Sequence, residues 1–337
     1  MPLYTPNPEH IMRDMYSYPF PEVRELLDAH EVPAGLMQNT LPVEAAAGYL
    51  AAYEFSPELA LPARQSDGTL DLDELHRPVI ERISARNSRL LPGLDTFTNT
   101  YPVPGSSPAM FHLLAEWKAK GKLDSIAVLD GEYEGYAAYS ETLNIPVTRY
   151  PDFERQPRPG EMWFITNPNA RDGNWIDKER WEAFVSAGHQ IIYDAAYVGL
   201  TVDGAVDVSS PNIQAVLTSP SKIFGVFRHR YTGITYTREP IASLYGTKWL
   251  KSIPALIDTL KLYESFGPYE LPRQYRGTQE EICARLGAVV GAEVVPSDTI
   301  LIGAANGPVA SKFEYLKRGD NYRLGLTKLF EGYEAMQ

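Results

Sequence analysis

Three short segments of this sequence carry the side chains best suited to chemistry. The first is "PGSSPAM", in which Gly105, Ser106 and Ser107 precede a stretch of helical composition. A glycine followed by hydroxyls at a helix N-terminus offers backbone N–H groups and a favourable dipole end to a phosphate. The alternative is that these serines only cap the helix, because serine is a preferred N-cap residue.

The second segment is "YDAAY", and the third is "SPSKIFGVFRHR". Asp194 ends an apolar run, where a carboxylate can pair with a protonated ring nitrogen or can simply form a turn, and Tyr197 follows three residues later. Lys222 is either a solvated surface chain or an amine that forms an imine with a carbonyl when desolvation keeps part of it unprotonated. Ser219 and Arg230, on either side of Lys222, add groups that bind anions.

Short apolar runs precede two of these segments and recur along the middle of the chain, where they predict strands. The runs lie at 125–130, 145–150, 162–166, 190–197, 215–219 and 233–239, and the last alternates in a way that fits an antiparallel strand. Helical stretches such as 107–120 and 176–187 lie between several of them. This alternation predicts an α/β fold whose large domain is a mostly parallel sheet with helices on both faces. The carboxyl ends of such strands are where ligands bind.

Outside this central region the pattern changes at both ends. Residues 1–45 are rich in proline and aromatic residues and predict an N-terminal arm. The large cofactor-binding domain is expected over 46–245 and a smaller C-terminal α/β domain over 246–337. Helices are predicted at 41–55, 71–87, 248–266 and 280–292, and further strands at 299–304 and 321–327.

Composition excludes several classes of function. Hydrophobic residues make up 44% of the chain and the net charge is −12, so clustered cations for nucleic acid are not expected. The single cysteine, Cys283, excludes an intrachain disulfide and a zinc site of several thiolates, and no metal site is predicted. No run reaches the roughly 18 apolar residues of a membrane span. Since the N-terminus also lacks the apolar core of a signal peptide, a cytoplasmic protein without membrane partners is expected.

Taken together, the three segments offer a seat for a phosphate, a carboxylate for a ring nitrogen and an amine for an aldehyde. These are the three handles of pyridoxal 5'-phosphate, in the order Gly-Ser-Ser, Asp, Lys. With "YRLGLT" further on, the segments resemble the fold-type I pyridoxal-phosphate enzymes of the class I/II aminotransferase group, the aspartate aminotransferase superfamily. The motifs that carry the resemblance are spread over residues ~70–330.

The resemblance implies a role for each matching residue. Lys222 is expected to form the Schiff base and later to move the substrate's α-proton, while Asp194 pairs with the pyridinium nitrogen and Tyr197 contacts the phenolic oxygen. The residues expected to hold the phosphate are Gly105, Ser106, Ser107, Ser219 and Arg230. Tyr133 is expected to stack on the ring, with Tyr136 as its competitor, and Arg323 is expected to bind the substrate carboxylate. The family also implies a homodimer and an amino-acid substrate.

One turn departs from the family pattern. Where the family has an asparagine that contacts the phenolic oxygen, "TNPNARDGNW" places Ala170, so that either Asn169 or Asn167 serves instead or the contact is missing. The implied function is an aminotransferase. The alternative is a pyridoxal-phosphate lyase, replacement enzyme or cyclase of secondary metabolism, and a non-catalytic cofactor-binding protein is the third hypothesis. The acidic residues Glu132, Glu134 and Asp172 fit a cationic, arginine-like substrate side chain.

Overall fold

The computed structural model describes residues 6–11, 20–28, 40–41, 70–226, 232–246 and 252–334. Two short strands, β1 (Thr40–Leu41) and β2 (Leu70–Asp71), pair antiparallel ahead of the main sheet. The strands of the main sheet are β3 (Asn99–Val103), β4 (Ser125–Leu129), β5 (Val147–Tyr150), β6 (Glu161–Thr166), β7 (Gln190–Asp194), β8 (Ile213–Leu217) and β9 (Gly233–Thr237). Their order across the sheet is β3-β9-β8-β7-β6-β4-β5.

The main sheet is mostly parallel, as the sequence predicts. Strands β4 to β8 pair parallel with one another, whereas β9 runs antiparallel to both of its neighbours, β8 and β3. The helices of the described chain are α1 (Pro21–Asp28), α2 (Leu72–Asn87), α3 (Ser107–Ala119), α4 (Glu134–Thr142), α5 (Lys178–Ser186), α6 (Pro220–Ile223), α7 (Ala242–Gly246), α8 (Ile253–Ser265), α9 (Glu270–Val290) and α10 (Thr327–Glu334). Short 3-10 helices lie at Pro8–His10, Leu94–Thr96 and Ser311–Leu316.

The main sheet is buried on both faces. Along β6, Trp163 and Ile165 belong to one hydrophobic cluster, whereas Phe164 between them belongs to a second. Successive side chains of a strand point to opposite faces, so the two clusters are the two cores of a covered sheet. This explains why the strands are apolar throughout rather than alternating.

A second, antiparallel sheet follows along the chain. It contains β10 (Glu293–Pro296), β11 (Ile302–Asn306), β12 (Lys317–Arg318) and β13 (Asn321–Gly325), in the order β10-β11-β13-β12. Helix α9 is fixed to this sheet by the buried amide of Gln279, which donates hydrogen bonds to the carbonyls of Ser297, Thr299 and Ile302 at 2.8–3.1 Å. Phe20, which precedes α1, packs on the same helix, because its ring lies 4.4 Å from that of Tyr275.

Several elements differ from the sequence prediction. Strand β3 was not predicted, because Pro102 interrupts its pattern; the strand tolerates this proline because it lies at the edge of the sheet. Helix α4 and strand β10 were also not predicted. Helix α9 begins ten residues earlier than expected and strand β11 starts three residues later. The helix predicted at 41–55 lies almost wholly outside the described residues. None of the described helices combines the length and apolarity needed to cross a bilayer.

Candidate active site

The carboxyl ends of the parallel strands surround one cavity of about 290 Å³. This volume is near the lower end of the range for small-molecule pockets. The sequence-predicted residues that line it are Gly105, Ser106, Ser107, Tyr133, Asp194, Tyr197, Ser219, Lys222 and Arg323. Residues that belong to different strand ends are therefore brought to one place by the topology of the sheet.

One side of the cavity is the turn that leads into α3. Gly105 has a positive φ of 82°, in the left-handed region that glycine adopts readily, and this turns the chain from β3 into the helix. Ser106 is the N-cap residue of α3, yet its hydroxyl makes no capping hydrogen bond. Capping of α3 by its side chain therefore does not explain the serine at position 106, and the Ser106 hydroxyl remains available at the cavity wall.

Asp194 lies at the end of β7 on the floor of the cavity and is 3% exposed. Its Oδ2 accepts a hydrogen bond from the Tyr136 hydroxyl at 2.9 Å, and its Oδ1 accepts one from the backbone N–H of Ala196 at 3.0 Å. Burial raises the pKa of Asp194 to about 6, and these two hydrogen bonds and the charge of Lys222 oppose that rise. Asp194 is thus a buried carboxyl group whose anionic form a further cation in the cavity would stabilise.

Lys222 lies on the one-turn helix α6, directly after β8. The Ser219 hydroxyl caps this helix by accepting from the backbone N–H of Ser221 at 3.2 Å. The end of β8 is held tightly against β9, because a Cβ atom at Gly233 would lie 2.1 Å from the Thr218 carbonyl oxygen. Only glycine permits this approach, which fixes the position at which Lys222 leaves the sheet.

Two buried arginines form the wall on the side of the small sheet. Arg323 on β13 and Arg318 on β12 both donate to the carbonyl oxygen of Ala170, at 2.5 and 3.5 Å, so their Nη1 atoms lie within about 6 Å of each other. Arg318 also forms an ion pair with Glu134 at 2.7 Å. Burial raises the pKa of Tyr197, and the two guanidinium charges oppose that rise. This wall is cationic and suits a carboxylate ligand.

The two candidate aromatic residues have different positions. Tyr133 is 40% exposed and lines the cavity, and its hydroxyl is hydrogen-bonded to Ser107. Its ring lies over Gly135, where an added Cβ would come within 2.3 Å of it. Tyr136 also lines the cavity but is fully buried, stacks on Phe164 with the ring centroids 4.6 Å apart, and donates from its hydroxyl to Asp194. Of the two, Tyr133 is the more exposed.

Asn169 does not line the cavity, which corrects its placement as a cofactor contact. Its Oδ1 accepts from the backbone N–H groups of Arg171 and Asp172 at 3.0 Å each, and its Nδ2 donates to the Asn174 carbonyl at 2.8 Å. The side chain is used to form the turn. Asn167 is used similarly, since its Oδ1 accepts from the Ile176 N–H at 2.8 Å. Ala170 faces the cavity instead. The predicted phosphate ligand Arg230 lies outside the described residues.

Several residues of the site were not singled out from the sequence as part of it. Thr166 is the last residue of β6, and its position at the end of an apolar run could have marked it as a residue of the site. Tyr136 appeared only as an alternative to Tyr133. Arg318 lies in a two-residue strand that the sequence pattern does not mark.

Comparisons with known proteins identify the fold. Neither a family model nor a curated protein sequence matches this chain. Solved structures do match. An aspartate aminotransferase mutant of Thermus thermophilus superposes with a TM-score of 0.61 at 17% identity, over 92% of this chain and 97% of that one. The chain has the fold-type I aminotransferase fold. Other structures with this fold include MppP soaked with the product 2-ketoarginine, with a TM-score of 0.62 at 13% identity over 90% of this chain and 98% of that one.

The aminotransferase fold is also shared with an enzyme of another reaction class. L-threonine-O-3-phosphate decarboxylase from Porphyromonas gingivalis superposes with a TM-score of 0.57 at 15% identity, over 77% of this chain and 88% of that one. The fold is therefore compatible with more than one reaction, and the choice between reactions depends on the residues of the cavity.

Proposed function

We propose that this chain is a pyridoxal-phosphate-dependent enzyme that acts on an amino acid through Lys222, and that the reaction is transamination. The observation that carries the proposal is the buried carboxylate of Asp194 on the floor of a cavity that Lys222 also lines. A buried anion with a raised pKa is stabilised by a cationic partner, and a protonated ring nitrogen supplies one. Serine hydroxyls at the N-terminus of α3 suit the phosphate at the other end of the ligand.

When bound, the cofactor supplies an electron sink for the bond that breaks at the substrate's α-carbon. The protein residues hold and orient it. Asp194 would keep the ring nitrogen protonated, Tyr197 would contact the phenolic oxygen, and Tyr133 would stack on the ring. Ser106, Ser107 and Ser219 bind the phosphate. We include Arg230 in this group on the family resemblance.

Lys222 has two tasks in this proposal. Its Nζ would hold the cofactor as an imine at the aldehyde carbon, with loss of water. Released when the substrate amine takes its place, the same Nζ would accept the proton of the substrate's α-carbon as a general base. Arg323 binds the substrate's α-carboxylate, because a buried guanidinium on the cavity wall forms charge-assisted hydrogen bonds with carboxylates.

Ala170 favours the second candidate function, a lyase, replacement enzyme or cyclase. Its methyl side chain lies on the cavity wall where the family resemblance places an asparagine, and the nearby Asn167 and Asn169 are both used in turns. A bound cofactor would have one hydrogen-bond donor fewer near its phenolic oxygen than the family resemblance implies. A change there alters how readily a proton is lost from or returned to the cofactor, which is the step that separates these reactions.

The acidic residues of the cavity bear on the substrate side chain. Of the three acidic residues considered from the sequence, only Glu134 lines the cavity. Glu132 lies behind Thr166, and Asp172 lines a separate groove. Glu134 is already paired with Arg318, so we propose that a cationic substrate side chain shares the Glu134 carboxylate with Arg318. This is in line with the structural similarity to MppP, which was solved with 2-ketoarginine.

A half-reaction assay tests the choice of reaction. The cofactor-loaded protein is mixed with single proteinogenic amino acids in the absence of a keto acid, and the absorbance is followed. Transamination predicts stoichiometric conversion to pyridoxamine phosphate with one keto acid released per site. Release of product with the original spectrum restored in each cycle contradicts transamination and supports the second candidate.

We also propose that the protein is a homodimer, as the family resemblance implies. Light scattering at micromolar concentration is expected to give twice the mass of the chain. A monomer under these conditions contradicts the dimer but leaves the proposed chemistry in place.

A further inference from the structure

A chain of four buried oxygen-bearing side chains runs from the cavity floor into the core. The Tyr136 hydroxyl contacts Asp194 Oδ2 at 2.9 Å and Thr166 Oγ1 at 2.7 Å. Thr166 Oγ1 in turn contacts Glu132 Oε2 at 3.0 Å. Glu132, Thr166, Tyr136 and Asp194 are all buried. Two carboxyl groups from the ends of different strands are thus connected through two hydroxyls.

The contacts among these four side chains need one more hydrogen than the two hydroxyls carry. Three oxygen–oxygen contacts of 2.7–3.0 Å require three hydrogens, because lone pairs that face each other at this distance repel. Thr166 and Tyr136 supply two hydrogens. If Glu132 and Asp194 were both ionised, one contact would have none. The third hydrogen must therefore come from one of the two carboxyl groups.

We propose that Glu132 and Asp194 share a single proton through the hydroxyls of Thr166 and Tyr136, and that, as long as the pair retains this proton, Glu132 holds it when Asp194 is an anion. In one form, Glu132 donates to Thr166, Thr166 donates to Tyr136, and Tyr136 donates to the Asp194 carboxylate. In the other form, each of the three hydrogens has moved across its own contact, and Asp194 holds the carboxyl proton. The number of protons and the total charge of −1 are the same in both forms.

The surroundings of Glu132 favour its protonated form. Its Oε1 is buried and has no hydrogen-bond partner among the described residues, which is costly for a carboxylate. Burial raises the pKa of Glu132 to about 7, and the charge of Asp194 adds to that rise; the Thr166 hydroxyl, the backbone N–H of Tyr133 and the charge of Arg171 oppose it. Asp194 has Lys222 as its nearby cation. The other titratable groups whose charges are coupled to this pair are the phenols of Tyr133, Tyr136, Tyr193 and Tyr197.

The role of this pair rests on the proposed function. A ring nitrogen that stays protonated needs Asp194 as an anion, and the shared proton then resides on Glu132. Glu132 does not line the cavity, so it acts through Thr166 and Tyr136 as a positioning residue. When the cavity contains no cation from a ligand, the proton can return to Asp194, which avoids an unpaired buried anion.

The test measures the titration of Asp194 in the full-length protein without cofactor. Aspartate is labelled with ¹³C at its carboxyl carbon, and the resonance of Asp194 is assigned by its loss in Asp194→Asn. Without cofactor, the shared proton can reside on Asp194 in the wild-type protein, whereas in Glu132→Gln the glutamine amide supplies the third hydrogen and Tyr136 donates to the Asp194 carboxylate. Glu132→Gln is therefore expected to lower the pH at which Asp194 titrates by about one unit or more. Glu161→Gln is the matched control, since Glu161 is 4% exposed and Glu132 7%. It is expected to leave the titration of Asp194 unchanged.

A second pair of variants, made in Thr166→Val, distinguishes proton transfer through the hydroxyls from a direct electrostatic effect of Glu132 on Asp194. In Thr166→Val the chain of contacts is cut, so the added change Glu132→Gln is expected to produce no further shift of Asp194. An equal shift in both backgrounds, or no shift in either, overturns the proposal. The measurement needs no bound cofactor, so its outcome is distinct from that of any test of cofactor binding.

Discussion

The strongest consequence for stability comes from the buried carboxyl of Glu132. Burial raises its pKa from 4.5 to about 7. Between these two values the folded protein holds a proton that the unfolded chain has already lost. The free energy of unfolding therefore falls as the pH rises through this window, by about 1.4 kcal/mol per unit and by about 3 kcal/mol in total. Above pH 7 both states are ionised at this group, and its contribution no longer changes.

The variant Glu132→Gln removes this contribution while it keeps the shape of the side chain. We expect the wild-type protein to lose about 3 kcal/mol more than the variant between pH 4.5 and pH 8. The assay is urea unfolding of the protein without cofactor, followed by tryptophan fluorescence at several pH values. The comparison is between the slopes of the free energy of unfolding against pH, so an effect of the substitution on packing that does not vary with pH cancels. Glu161→Gln, at another buried glutamate, serves as the control.

The prediction is refuted if the free energies of unfolding of the wild-type protein and of Glu132→Gln change with pH in parallel. In that case Glu132 does not take up a proton in the folded protein over this range. A steeper loss of stability in the variant would be equally contradictory, since it requires the native carboxyl to be ionised at low pH.

Three further substitutions have outcomes that the structure fixes. Arg323→Lys is expected to raise KM for the amino acid by about 10-fold to 100-fold with a smaller effect on kcat, because one ammonium replaces a bidentate guanidinium; an unchanged KM contradicts the assignment. Gly135→Ala places a Cβ within 2.3 Å of the Tyr133 ring, so cofactor affinity measured by fluorescence titration should fall several-fold without loss of folding. Gly277→Ala, inside helix α9 with open space around it, is expected to raise the free energy of unfolding by about 1 kcal/mol, and a loss of stability would contradict the helix assignment.

Much of the large sheet follows from the sequence for a physical reason. A strand buried on both faces is apolar at every position, so runs such as that of β6 are distinct from the polar segments that follow them. Functional residues at strand ends are therefore marked by where the apolar run stops. Asp194 and Lys222 could be placed near the cavity in this way, because parallel strands bring their carboxyl ends to one edge of the sheet.

The parts that could not be predicted depend on contacts between distant segments. The bond from Tyr136 to Asp194 joins residues 58 positions apart, and it exists only because α4 docks beside β6. Arg318 reaches the cavity from a strand of two residues, which is too short to produce a pattern. The sequence alone does not show which asparagine of the turn, Asn167 or Asn169, would reach the cavity. Only the turn geometry shows that Asn169 bonds to its own backbone neighbours while Ala170 faces the cavity.

We propose that Lys222 is the amine that bonds covalently to pyridoxal phosphate. The direct measurement is reduction of the cofactor-supplemented protein with borohydride, followed by digestion and mass spectrometry. We expect one added cofactor per chain, on the peptide that contains Lys222, and none on the Lys222→Ala variant. No adduct, or an adduct on a different lysine in the wild-type protein, would contradict the account.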